Sequence, residues 1–129
     1  MEIKFFELIE PTEDNGYCVF SHHLEDDKNV FFHMTPAEKR KPIMENGFQS
    51  ARELEVGDLE SVSYAKRSSN CFANLGCNLE SEHVVFAVRY ADDALAEVVI
   101  NSSDIHVYKK HLQPEILGVV SLPAGFGLS

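Results

Sequence analysis

The residues of this chain that could do chemistry are scattered, and their spacing excludes more than it permits. Six histidines, His22, His23, His33, His83, His106 and His111, form no H-E-x-x-H metal motif. Cys71, Cys77 and His83 have five residues between neighbours, which is not a standard zinc spacing, so no metal is expected. The chain has no G-x-S-x-G elbow, no phosphate-cradling glycine loop and no dinucleotide fingerprint. A Cys71 nucleophile with a histidine base is chemically conceivable, but a buried inert thiol is the commoner use of a cysteine. Five other positions matter more. His33 and Thr35 stand two residues apart at the end of the apolar run VFFH, Tyr64 lies in SVSYA, Arg67 in KRSSN, and Glu97 in ALAEVVI. An imidazole accepts or donates hydrogen bonds to ribose hydroxyls or a carboxamide. A guanidinium clamps phosphates with two bonds, and an aromatic ring stacks on a heterocycle. A fixed carboxylate stabilises the positive charge that develops on a sugar as its bond to nitrogen breaks.

Each of these residues also has a purely structural use. His33 can bond backbone at a strand end, and Thr35 can cap a helix. Tyr64 can belong to the core, Arg67 to a surface loop, and Glu97 to the solvent side of a strand. Chemistry of the kind that uses two H-x-T elements would need a second copy, and the sequence has only His33-Met34-Thr35.

The elements that must position them follow from local patterning. IKFFELI and YCVFS read as strands separated by the turn formers EPTEDNG, followed by the charged loop LEDDKN and a buried strand VFFH. The main helix follows. Thr35 is its expected cap, Pro36 its first residue and Glu38 the reciprocal partner in a capping box. Gly47 after Asn46 is a left-handed stop, with Phe48 folding back onto a helix face made of Ala37, Lys41, Ile43 and Met44. Pro42 should kink this helix or divide it into two short turns. QSARELEVGDLE is polar around a Val-Gly-Asp turn; SVSYA is a short strand, and KRSSNCFANLGCNLESE is irregular. HVVFAVRY is a long Val- and Phe-rich strand that turns at Asp92-Asp93 into LAEVVI as a hairpin, and EILGVVSLP closes the chain as another strand. The expectation is a single α+β domain over 1–129, a mostly antiparallel sheet of six or seven strands with one main helix.

Bulk properties narrow the partners. With 129 residues, 44% hydrophobic and 25% charged, the chain has the composition of a globular domain with a sizeable core. No apolar run is long enough to span a bilayer, and the acidic start MEIKFFELIEPTED does not read as a secretion signal. Three cysteines without a C-x-x-C pair favour reduced thiols and a cytoplasmic location. A net charge of −10 argues against general nucleic-acid binding. Any local basic patch should form at Lys39, Arg40 and Lys41, or at Lys66 and Arg67.

In their order, these pieces resemble the ADP-ribosyltransferase fold, and within it the DNA-modifying toxins of the DarT type. The first block, His33, Thr35, Ile43, Met44, Gly47 and Phe48, is similar to that family's strand-end histidine, threonine and glycine-closed helix. The second, SVSYAKRSSNCFANL, looks like the segment carrying the catalytic arginine, matched by Arg67. The third, ALAEVVINSSDIHVY, is similar to the strand opened by the catalytic glutamate, matched by Glu97, and ILGVVSL would match the closing strand. The blocks span roughly residues 30 to 122. The resemblance implies NAD as substrate and a macromolecular acceptor, nucleic acid or protein, in a toxin, defence or phage setting. His33, Thr35 and Tyr64 would hold NAD, with Glu97 and Arg67 catalytic. The chain is shorter than those toxins, acidic where DNA modification calls for positive charge, and has Leu95 where an E-x-E pair would need an acid. Two other functions therefore stand beside this one: a non-enzymatic acidic binding or inhibitor module, and an endoribonuclease-like enzyme using His33 and Arg67.

Overall fold

The computed structural model describes residues 4–5, 18–48, 61–72, 79–101, 104–108 and 113–125. The turn at 10–16, the polar stretch 49–60, Cys77 and His111 lie outside the described residues.

Val and Phe dominate the strand β4 (His83–Arg89), whose residues Val84 to Val88 are all buried. Burial on both faces needs a packed layer above and below the sheet, and both edges of β4 are paired as well. It pairs antiparallel with β2 (Val30–Pro36), His33 opposite Phe86, and with β7 (Glu115–Leu122). β7 carries a bulge opposite Ala87/Val88 that shifts its alternation, so that Ile116 joins Val119 in one core cluster and Leu117 joins Val120 in the other. The sheet continues beyond β2 through β3 (Val62–Ala65), β6 (Asp104–Val107) and β5 (Val99–Asn101), all antiparallel. On the other side the short β1 (Lys4–Phe5) adds to β7 in parallel. The order is β1-β7-β4-β2-β3-β6-β5, and the architecture is α+β.

Alternation along the strands divides the core in two. Phe31, Tyr64, Val84, Phe86, Val88, Ile105 and Val119 build one face, covered by Phe48 and by Ala37, Ile43, Met44, Ala94 and Leu95. Val30, Phe32, Val85, Ala87, Val120 and Leu122 build the other, covered by Val19, Phe20, Leu24 and Leu79.

Several local expectations are corrected. Ala94–Glu97 is a 3-10 turn, and β5 pairs with β6 rather than folding back on β4. Both edges of β4 are already occupied, and the turn, closed by Ala94 and Leu95 N–H bonds to Ala91 O, seats apolar side chains on the core. DIHV, read in the sequence as part of the stretch ALAEVVINSSDIHVY that follows Glu97, is a separate strand, β6. Val19 to Ser21 are not a strand; the chain bends there into the four-residue helix α1 (His22–Glu25), which takes in the start of LEDDKN. Thr35 does not cap a helix. Proline pushes its predecessor into extended geometry, so Thr35 and Pro36 stay in β2, and the Ala37 N–H still bonds Glu82 O at 3.0 Å. A 3-10 turn at Ala37–Lys39 then leads into helix α2 (Arg40–Asn46). The two helical segments meet at Arg40 rather than at Pro42. Pro42 falls in the first turn of α2, where its missing N–H leaves no bond unmade. Lys41 is exposed rather than part of the inner face.

Candidate functional site

The end of α2 fixes one wall of the site. Gly47 has φ +80° and ψ −176°, a region open in practice to glycine alone, and its N–H bonds Ile43 O at 2.8 Å. The backbone reversal drives Phe48 into the core. Gln113 holds it there: the Phe48 N–H donates to Gln113 Oε1 at 2.9 Å, and Gln113 Nε2 donates to Phe48 O at 3.0 Å. A side-chain amide thus supplies the pair of bonds a neighbouring strand would otherwise make.

Opposite this wall, β2 presents His33 and Thr35. The ring of His33 meets Phe48 edge-on at 5.2 Å between centroids, and Tyr64 at 5.6 Å. His33 Nδ1 lies 2.8 Å from the Ser63 carbonyl of β3. A carbonyl only accepts, so Nδ1 carries the proton. Burial holds the imidazole below the ordinary histidine value, an effect the bond to Ser63 offsets only in part. The ring is therefore neutral near pH 7, and Nε2 is left as an acceptor. Between the two walls lies a cavity of about 160 Å3, lined by His33, Thr35, Lys39, Pro42, Ile43, Gly47 and Phe48. Among the described residues its chemistry is one imidazole acceptor, one hydroxyl, one ammonium and an apolar remainder.

The five expected site residues are distributed unequally around it. His33 and Thr35 line the cavity together. Tyr64 is buried directly behind His33, and its hydroxyl accepts from Tyr90 Oη at 3.1 Å. Burial drives the Tyr64 phenol far above its ordinary value, so it serves as a neutral support for the His33 ring. Glu97, exposed at the end of the 3-10 turn, and Arg67, which follows β3, are not among the lining residues. The turn carrying Glu97 packs on the same sheet face as His33. Arg67 instead pairs with Asp26 at 2.8 Å, and that bond keeps its guanidinium firmly protonated. Lys66, beside it, donates to Asp27 O and Val30 O at 2.9 and 3.2 Å and stands 5.7 Å from the centre of the Phe31 ring.

Lys39 was marked in the sequence only as part of a basic run. Ile43 reads in the sequence as part of the helix face, and Gly47 and Phe48 as the helix stop, all three within the block that resembles the family, and each also borders the cavity. A second polar cluster had no sequence signal. Glu25, written in a run of acids, is 1% exposed. Its carboxyl accepts from the Ser68 N–H (3.1 and 3.2 Å) and from Ser68 Oγ, which in turn accepts from the Val19 N–H at 2.9 Å. Burial raises the Glu25 carboxyl above its ordinary value despite these bonds. Nearby Cys71 is pushed up to about 12, chiefly by burial, which keeps it a thiol and unsuited to attack as a thiolate. On the outer strands, His106 Nδ1 lies 3.0 Å from Ser61 Oγ and 3.3 Å from Ser63 Oγ.

Among the described residues no group of three or more His, Cys, Asp or Glu is placed to hold a metal ion, and no helix is long and apolar enough to cross a membrane. No family model, curated protein or solved structure matches the chain.

Proposed function

We propose that this chain is an NAD-binding protein of the ADP-ribosyltransferase type, which transfers ADP-ribose to a macromolecular acceptor, nucleic acid or protein. The observation that carries this reading is the cavity shared by His33, Thr35, Ile43, Gly47 and Phe48, five residues of the block that resembles the family. At about 160 Å3 it is smaller than the roughly 300 Å3 at which pockets for whole drug-sized ligands begin, so it takes one end of the dinucleotide. The remainder would lie over the adjoining surface, and Arg67, paired with Asp26 beside α1, would have to leave that partner to meet it.

In the reaction, the bond between the ribose carbon and the nicotinamide nitrogen breaks, and nicotinamide leaves with its electron pair. The acceptor nucleophile forms the new bond to that carbon, and its proton passes to a carboxylate or to water. The sugar is positively charged at the crossing point, and Glu97 would stabilise it. Arg67, released from Asp26, would hold phosphate or acceptor by paired bonds. Incubation with NAD labelled in the nicotinamide ring tests this: release above background, abolished in Glu97→Ala, is expected. A protein that neither binds nor turns over NAD removes the reading.

A second reading, a non-enzymatic binding module, is favoured by the position of Glu97 and Arg67 outside the cavity and by the pairing of Arg67 with Asp26. It predicts a stoichiometric complex that weakens with salt and is indifferent to Glu97→Ala.

A further inference from the structure

The cavity has a polarity that distinguishes the two ends of a dinucleotide. Among the described residues Lys39 is the one charged side chain lining it, and no described carboxylate lines it, although the chain as a whole carries a net charge of −10. The flanking run adds Arg40 and Lys41 against Glu38 and Glu45. An ammonium at the mouth of a small, largely apolar space repels a cationic ring and attracts a phosphate. Inside, the proton of His33 is committed to Ser63 O, so the ring offers an incoming molecule only a lone pair. A ligand must present a donor there, and the Thr35 hydroxyl can answer as donor or acceptor. Phe48, Ile43 and Pro42 supply the contact area for a flat neutral ring.

From this geometry we infer that the cavity takes a neutral nucleobase nucleoside with its 5′-phosphate at Lys39, an adenosine monophosphate unit, and rejects the positively charged nicotinamide end. The inference rests on the reading of this cavity as the nucleotide site and assigns its orientation: the reacting sugar lies outside, on the exposed surface rather than beneath α2. It also makes free adenosine monophosphate and ADP-ribose competitors for NAD, whereas nicotinamide mononucleotide is not.

Titration calorimetry on the full chain with adenosine monophosphate, adenosine, nicotinamide mononucleotide and NAD decides the matter. Adenosine monophosphate should bind at least about tenfold more tightly than nicotinamide mononucleotide. Lys39→Met, an exposed change that leaves the core untouched, should weaken adenosine monophosphate by up to about fivefold and leave adenosine unchanged. Thr35→Val should weaken both. Equal affinities for the two mononucleotides, or a preference that Lys39→Met does not alter, overturn the inference. NAD binding without adenosine monophosphate binding overturns it too, while leaving the transferase reading intact. Preferential adenosine monophosphate binding without NAD binding or turnover upholds it and removes the transferase. If no nucleotide binds, both fall.

Discussion

Gln113 and Phe48, 65 residues apart, are joined by two hydrogen bonds, and both use the backbone of Phe48. The cavity wall is therefore secured from the far end of the chain, by a residue two positions before β7. Gln113→Ala leaves an N–H and a C=O of Phe48 without partners, and a destabilisation of about 1–2 kcal/mol is expected. Urea unfolding followed by circular dichroism measures it; an unchanged midpoint would show that solvent replaces the clamp.

Gly47→Ala should be worse than an ordinary exposed glycine substitution. The new Cβ would stand 2.7 Å from Gln113 Oε1, on a backbone whose positive φ already disfavours any side chain. Strain of about 1–3 kcal/mol is expected. Gly125→Ala shares the positive φ without the collision, since nothing lies within 4 Å, and should lose less.

His33 makes stability depend on pH in a defined direction. Its folded value lies below the ordinary 6.5, so the unfolded chain takes up a proton first as pH falls. The contribution is complete above about 6.5 and declines as pH drops from there through the folded value. Unfolding free energies at pH 5 and pH 8 should differ in wild type, and His33→Phe should remove part of that difference. A slope unaltered in the variant would assign it to other groups.

Glu25 acts in the opposite sense. Its folded value is raised above the ordinary 4.5, so its contribution is present below the unfolded value and is lost as pH rises through the folded one. Glu25→Gln keeps an oxygen for Ser68 and cannot ionise. Measured against wild type in urea, it should gain relative stability between pH 4 and pH 8. A loss over that interval would mean that the ionised carboxylate is the better partner for Ser68.

Arg67→Ala separates structure from chemistry. Its pair with Asp26 is exposed, with side chains 48% and 58% accessible, so the loss of stability should stay within about 1 kcal/mol. If NAD is turned over, the same variant should lower the rate without a matching fall in melting temperature.

The sequence disclosed the central strands and the helix stop because each rests on a local rule. Val84 to Val88 form an uninterrupted apolar run, and Gly47 stands where a helix must reverse. His33 and Thr35 were visible because polar groups at the end of such a run need a reason. Other features depended on distant partners. The edge strand β5, with Val99 and Ile100 exposed, has no core pattern to reveal it, and its partner β6 is recognisable only through the pairing. Glu25 looked like one more surface acid because its partner Ser68 lies 43 residues away. Thr35 carried the letters of a cap, but the proline after it and β4 beside it kept it extended.

β2 sends its side chains alternately to two different clusters, and this ties ligand recognition to correct assembly. Sliding β2 by one residue against β4 would point Val30, Phe32 and Met34 at α2 and turn the imidazole and hydroxyl toward Phe20 and Leu24. A misregistered molecule would lose the proposed nucleotide site as well as pack poorly, so binding at that site would serve as a readout of whether the sheet has zipped up in its proper frame.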